Sequence, residues 1–99
     1  MDMNKEHRTR ITSEVAAHLD AAAAALRHQD IEGIVKALTT AVALYGKHPS
    51  CVFDPSSLLR DLLVAIRAAR SLCRTLGRND DDLGIIEELA DSLRNSPFH

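Results

Sequence analysis

Apolar residues recur at alternating steps of four and three along four segments of this sequence, and this spacing constrains the fold more than any other feature. In the first segment the series is Ile11, Val15, Leu19, Ala22 and Leu26. Such steps place side chains on one face of an α-helix. The four segments predict helices at residues 5–28, 31–45, 55–76 and 81–95. No segment shows a strand-like alternation, so the sequence predicts an all-α fold.

Local signals indicate where these helices begin and end. Asp30 is suited to cap the second helix, and Gly46 to follow its last turn. Asp54 before Pro55 is typical of an N-cap followed by the first helical residue, and Gly77 is suited to end the third helix. Because most connections are short, successive helices should be antiparallel. We expect a small four-helix antiparallel bundle-like domain, with residues 1–99 forming a single helical domain.

The apolar stripes of the last two helices predict much of the core. For the third helix the predicted inward residues are Leu58, Leu62, Ala65, Ile66, Ala69, Cys73 and Leu76. For the fourth helix they are Leu83, Ile86, Leu89, Ala90 and Leu93. Cys73 therefore reads as a small core residue with a free thiol.

The N-terminal segment is charged and lacks the apolar run of a signal peptide, and no stretch approaches 18 consecutive apolar residues. We therefore expect a cytoplasmic protein with no membrane partner. Cys51 and Cys73 are the two cysteines, and without a secretory signal they favour free thiols over a disulfide. The net charge of −2 lacks the basic excess that drives general binding to nucleic acid.

Charge is separated along the second half of the chain. Residues 60–78 contain five arginines and one aspartate, whereas residues 79–93 contain six carboxylates and no Lys or Arg. On helical wheels these residues and two uncharged neighbours define two candidate partner-binding surfaces. The basic face consists of Arg60, Val64, Arg67, Arg70, Arg74 and Arg78. The acidic face consists of Asp80, Asp81, Gly84, Glu87, Glu88 and Asp91.

Known patterns of metal binding and catalysis fit the sequence poorly. A calcium loop starting at Asn79 would need oxygen ligands where Leu83 and Ala90 stand. The histidines show no helical pair for zinc. His48 and Cys51 form the one local Cys/His pair, and no phosphate-binding or nucleophile motif accompanies them. The sequence predicts no metal, no cofactor and no catalytic residue, which favours a non-enzymatic protein.

Three interpretations of the charge pattern remain open. The leading one is a protein-binding module whose acidic face docks a protein partner such as a basic toxin or enzyme, as an inhibitor, a toxin-immunity or antitoxin protein, or a regulatory adaptor would. The alternative is a small dimeric nucleic-acid-binding transcriptional regulator that uses the basic face. The third is that both faces are solvated and partly neutralise each other where the third and fourth helices meet. A homodimer is compatible with all three.

Overall fold

A computed structural model describes residues 3–48 and 54–95 of the chain. These residues form four helices: α1 (Met3–Arg27), α2 (Ile31–Lys47), α3 (Pro55–Thr75) and α4 (Asp81–Arg94). No strand occurs in either described range. The all-α fold with four helices that the apolar spacing predicts is therefore confirmed.

The two central helices, α2 and α3, pack against each other and against both outer helices, α1 and α4. The last two helices run antiparallel, because Arg74 of α3 contacts Asp80 just before α4 whereas Arg67, two turns earlier, contacts Glu87 within α4. The first two helices are antiparallel as well. The ring of His7, near the start of α1, lies edge-on to the ring of His48, just after α2, with 5.5 Å between centroids. The resulting bundle is flattened, with extents of 51 × 27 × 17 Å. This arrangement leaves a groove between α1 and α3 and another between α2 and α4.

Aliphatic side chains from all four helices form the core. Tyr45 is the largest side chain that is fully buried, and its burial raises the pKa of its phenol. Cys73 is buried with a free thiol, as its place in the α3 stripe predicts. Cys51 lies outside the described residues. No helix in the described part of the chain is long and apolar enough to span a bilayer.

Parts of the predicted core are wrong. Leu76 and Leu89 are 42% and 54% exposed, whereas Leu59 and Leu63, which the predicted stripe omits, are buried. The cause is the position of each helix in the bundle. Because α3 contacts three helices, its buried arc is wider than one stripe. At the edge of the bundle, α4 buries only the narrow stripe of Leu83, Ile86 and Ala90.

Two helix ends form the same hydrogen-bonded motif. After α3, Gly77 adopts φ +67°, its N–H bonds to the carbonyl of Arg74, and the N–H of Arg78 bonds to the carbonyl of Cys73 at 2.7 Å. These two bonds define a Schellman motif, for which glycine is the preferred left-handed residue. After α1 the left-handed residue is Gln29, with φ 57°. The predicted end of the third helix at Gly77 is thus confirmed.

The predicted end of the second helix at Gly46 is wrong, because α2 continues through this residue to Lys47. Gly46 lies against Leu93 of α4, and a Cβ atom at this position would be 3.5 Å from a methyl group of Leu93, an ordinary van der Waals distance. The Asp30 cap is confirmed, since Oδ1 of Asp30 accepts a hydrogen bond from the N–H of Gly33 at 3.1 Å.

Asp54 does not cap α3 as predicted. It occupies the N-cap position, and its carbonyl accepts the first helical bond from the N–H of Leu58. Its backbone is left-handed, with φ 49°, and its side chain makes no capping hydrogen bond. N-cap residues usually adopt an extended conformation, from which the side chain reaches the first turn. The start of α3 at Pro55 agrees with the prediction even though the cap does not.

Candidate functional site

The contact between α3 and α4 is organised around the guanidinium of Arg70. Its Nε lies 2.9 Å from Oδ2 of Asp80, and its Nη1 lies 3.1 Å from Oε1 of Glu87. All three side chains are half-buried between the two helices. One arginine thus bridges the residue preceding α4 and the second turn of that helix.

These hydrogen bonds shift the titration of the groups that form them. The hydrogen bond from Arg70 lowers the pKa of Asp80 below its ordinary value, and the positive charges of Arg70 and Arg74 act in the same direction. Hydrogen bonds to Asp80 and to Glu87 raise the pKa of Arg70. Both groups are therefore held in their charged forms in the folded protein.

Two further arginines approach the same carboxylates at longer distances. Nε of Arg67 lies 3.7 Å from Oε2 of Glu87, and Nε of Arg74 lies 3.7 Å from Oδ2 of Asp80. Both arginine side chains are largely exposed, so these ion pairs contribute little to stability. The predicted basic and acidic faces therefore meet along α3 and α4. Mutual neutralisation, the third interpretation of the sequence, describes this part of both faces.

Gly84 lies beneath the same guanidinium. A Cβ atom at this position would be 3.7 Å from Cζ of Arg70, which is an ordinary van der Waals distance. The guanidinium of Arg70 therefore covers this part of α4 and leaves room for a methyl group beneath it. The group that approaches Gly84 is thus part of the chain itself.

The acidic run before α4 serves as a helix start. Oδ1 of Asn79 accepts a hydrogen bond from the N–H of Asp81 at 2.7 Å, and Asp81 and Asp82 lie in the first turn. Acidic side chains there interact favourably with the exposed N–H groups and the helix dipole. Among the described residues, no group of three or more His, Cys, Asp and Glu side chains is arranged to hold a metal ion.

The remaining predicted site residues are separate from the Arg70 cluster. Oδ1 of Asp91 lies 3.1 Å from Nη2 of Arg94, one turn later along α4, but the two groups are not oriented for a hydrogen bond. Glu88 is exposed, as is Asp81. Arg60 and Arg78 are also exposed, and neither forms an ion pair with a residue in the described ranges.

Two large aliphatic side chains of α4 are exposed to solvent. Ile85 is 58% exposed, and Leu89, one turn later, is 54% exposed. On the helical wheel the other residues of this side are polar and exposed. We define the α4 outer face as Asp81, Asp82, Ile85, Glu88, Leu89 and Ser92. Sequence reasoning missed Ile85, although an isoleucine on the polar side of an amphipathic helix is a recognisable signal.

An apolar groove between α2 and α4 extends this face. It has a volume of about 260 Å³, and Leu89 and Ser92 belong to both surfaces. The residues that line it are Thr39, Val42, Ala43, Gly46, Ile86, Leu89, Ser92 and Leu93. We call it the α2–α4 groove. Together the two surfaces form a continuous apolar area with carboxylates along one side.

A second apolar groove, the α1–α3 groove, lies between the other pair of helices. Its residues are Leu19, Asp20, Ala22, Ala23, Leu26, Ile34, Leu38, Asp61, Val64, Ala65 and Ala68. Val64 is 60% exposed at its rim. The sequence predicts that arginines surround this valine, and Arg60 and Arg67 do lie on the adjoining side of α3. On its other side Val64 borders the apolar groove.

No protein-family model, curated protein or solved structure matches this chain. Its function is therefore inferred from its own side chains.

Proposed function

We propose that this chain is a non-enzymatic protein-binding module that docks a basic protein partner through the α4 outer face. The observation that carries the proposal is the pair Ile85 and Leu89, exposed side by side next to the apolar α2–α4 groove. Exposed apolar areas rimmed by polar residues are typical of protein interfaces. An inhibitor, a toxin-immunity or antitoxin protein, or a regulatory adaptor would use such a surface.

The charge of the rim supports a basic partner. Asp81, Asp82 and Glu88 flank the two aliphatic residues, all three are exposed, and none forms an ion pair with an arginine or lysine of the described chain. A partner with an apolar anchor surrounded by Lys or Arg would fill the groove and pair with these acids. Opposite charge also speeds association. A second copy of the chain would instead bring like charges together on this face.

Nucleic-acid binding through the basic face has weaker support. Arg67, Arg70 and Arg74 each contact a carboxylate of the same chain, and a phosphate would have to compete with those contacts. Only Arg60 and Arg78 of the five arginines lack an ion pair within the described residues. Because most arginines of the basic face already contact carboxylates of the same chain, a protein partner is favoured over duplex DNA.

The test is to capture the partner from the source cell and measure its binding kinetics with the purified native chain and with variants. Glu88→Lys should slow association at low salt, with a smaller effect at high salt because ions screen exposed charges. Ile85→Asp should mainly speed dissociation, since it removes an apolar anchor. Glu14→Lys, the same reversal of an exposed charge but on α1, is the matched control and should change neither rate strongly.

The opposite result would contradict the proposal. If the chain retains duplex DNA in a gel shift near physiological salt, and Arg60→Glu with Arg78→Glu abolishes retention while Glu88→Lys does not, the basic face is the functional one. A protein partner that binds equally well to native, Ile85→Asp and Glu88→Lys chains would also exclude the α4 outer face.

A further inference from the structure

The α1–α3 groove is a second exposed apolar surface, and the α4 outer face does not account for it. Val64 stands 60% exposed at its rim, and Leu19 and Leu26 of α1 line the opposite side. An exposed valine costs little by itself, but here it adjoins a groove whose floor is formed by Ile34 and Leu38 of α2. Contiguous apolar surface of this kind marks an interaction site.

The charges around this groove are of both signs, whereas the charged residues of the α4 outer face itself are all carboxylates. Asp61 lies three residues before Val64 and Arg67 three residues after it, so the two charges flank the valine along α3. Asp20 of α1 lines the same groove and adds a second carboxylate. Arg67 is 57% exposed, and its contact with Glu87 is long, at 3.7 Å, so its guanidinium is accessible. The surface thus combines an apolar centre with charges of both signs, two carboxylates and the guanidinium of Arg67.

From this pattern we propose that the α1–α3 groove docks a second copy of this chain, with α3 antiparallel to α3 of the partner copy and the two-fold axis at Val64. A two-fold interface uses the same patch on both copies, so the patch must complement itself. With the axis at Val64, Asp61 of one copy lies level with Arg67 of the other, and this opposite-charge pairing occurs twice.

The alanines of the groove suit this packing. The two copies of Val64 meet near the axis, and Ala23 and Ala68, which both line the groove, allow close approach of the helices. The α4 outer face remains free for a different partner in such a dimer. The dimer is independent of the proposed partner binding, and either proposal can fail without the other.

Charge reversal provides a specific test by analytical ultracentrifugation of the full chain. Asp61→Arg alone places like charges level at both pairings, and so does Arg67→Asp alone. Each single variant should therefore weaken dimerisation by about tenfold or more. An equimolar mixture of the two variants restores opposite charges at both pairings and should dimerise as the native chain does.

Two substitutions complete the design. Val64→Arg should give a monomer whose circular dichroism spectrum matches that of the native chain, because the native side chain is exposed. Ile85→Arg on the α4 outer face is the matched control and should leave dimerisation unchanged. If the native chain stays monomeric at its highest soluble concentration, or if the dimer persists in Val64→Arg, the proposal is wrong. Failure of the mixed variants to associate would overturn the antiparallel arrangement.

Discussion

The α4 outer face and the α1–α3 groove expose aliphatic side chains to a similar degree, Ile85 and Leu89 on the first and Val64 on the second. Each adjoins a groove between two helices. Their surroundings differ in charge. The charged residues of the α4 outer face itself are all carboxylates, whereas Asp61 and Arg67 place both signs beside Val64.

This difference indicates that the apolar centre and the charged rim of a surface have separate roles in binding. The apolar centre provides the surface that a partner buries, so it indicates a docking site. The rim selects the partner, because a rim of one sign favours a partner of the other sign and repels a copy of itself. A rim of both signs can complement itself across a two-fold axis. Two surfaces with similar centres therefore lead to different proposed partners.

Substitution of a core residue has the largest expected effect, and it is the reference for testing whether Val64 and Ile85 lie on the free surface or belong to the core. Ile66 is fully buried on α3, two residues from Val64. Ile66→Ala should lower the free energy of unfolding by about 2–5 kcal/mol, because it removes buried methyl groups and leaves a cavity. Val64→Ala and Ile85→Ala should each change it by less than about 0.5 kcal/mol.

Urea denaturation measures these changes in the free energy of unfolding. It is carried out at low protein concentration, where self-association does not add to stability. Leu62→Ala, at another fully buried α3 position, serves as a second core control. If Val64→Ala lowers the free energy of unfolding about as much as Ile66→Ala, Val64 is part of the core of the single chain. It would then not be a surface residue comparable with Ile85.

An acid titration separates the carboxylates neutralised within the fold from those of the α4 outer face. Arg70 lowers the pKa of Asp80 in the folded chain. The stability from this interaction is thus present above the unfolded carboxyl pKa, near 3.9, and is lost as pH falls through the lower folded value. Asp80→Asn should have a lower denaturant midpoint than the native chain at pH 7, and this gap should narrow in acid.

Asp82→Asn is the matched control, because Asp82 lies two residues after Asp80, is exposed in the first turn of α4 and forms no ion pair with another described residue. Its denaturant midpoint should stay closer to that of the native chain at pH 7. An equal loss in both variants, with the same dependence on pH, would mean that the pairing with Arg70 does not distinguish Asp80.

The sequence predicts the helices well because their periodicity is local. All eight helix ends lie within two residues of the predicted ones. Pairing between helices is harder to predict, since it depends on how α4 is rotated about its axis. That rotation brings Asp80 and Glu87 to Arg70 and leaves Leu89 exposed. The Asp54 cap failed for a similar reason, because a local motif does not specify how the preceding chain enters the helix.

The smallest expected effect concerns Gly84, which the sequence assigns to the acidic face and the structure places beneath Arg70. A glycine within a helix costs about 0.5–1 kcal/mol relative to alanine. A Cβ atom here would meet only the Arg70 guanidinium, at 3.7 to 3.8 Å, so the methyl group fits without displacing it. Gly84→Ala should therefore stabilise the chain by up to about 0.5–1 kcal/mol in urea denaturation.

Gly33→Ala is the matched control for this substitution, because both glycines lie in the first turns of their helices but differ in their surroundings. A Cβ atom at Gly33 would lie 2.5 Å from Oδ2 of Asp30, so the capping carboxylate would have to move and stability should fall. If Gly84 belongs to the contact with Arg70, Gly84→Ala leaves the kinetics of partner binding unchanged. If a stabilised Gly84→Ala chain instead binds its partner more slowly, Gly84 is part of the docking surface. The docking surface of α4 would then include residues beside Arg70 as well as the α4 outer face.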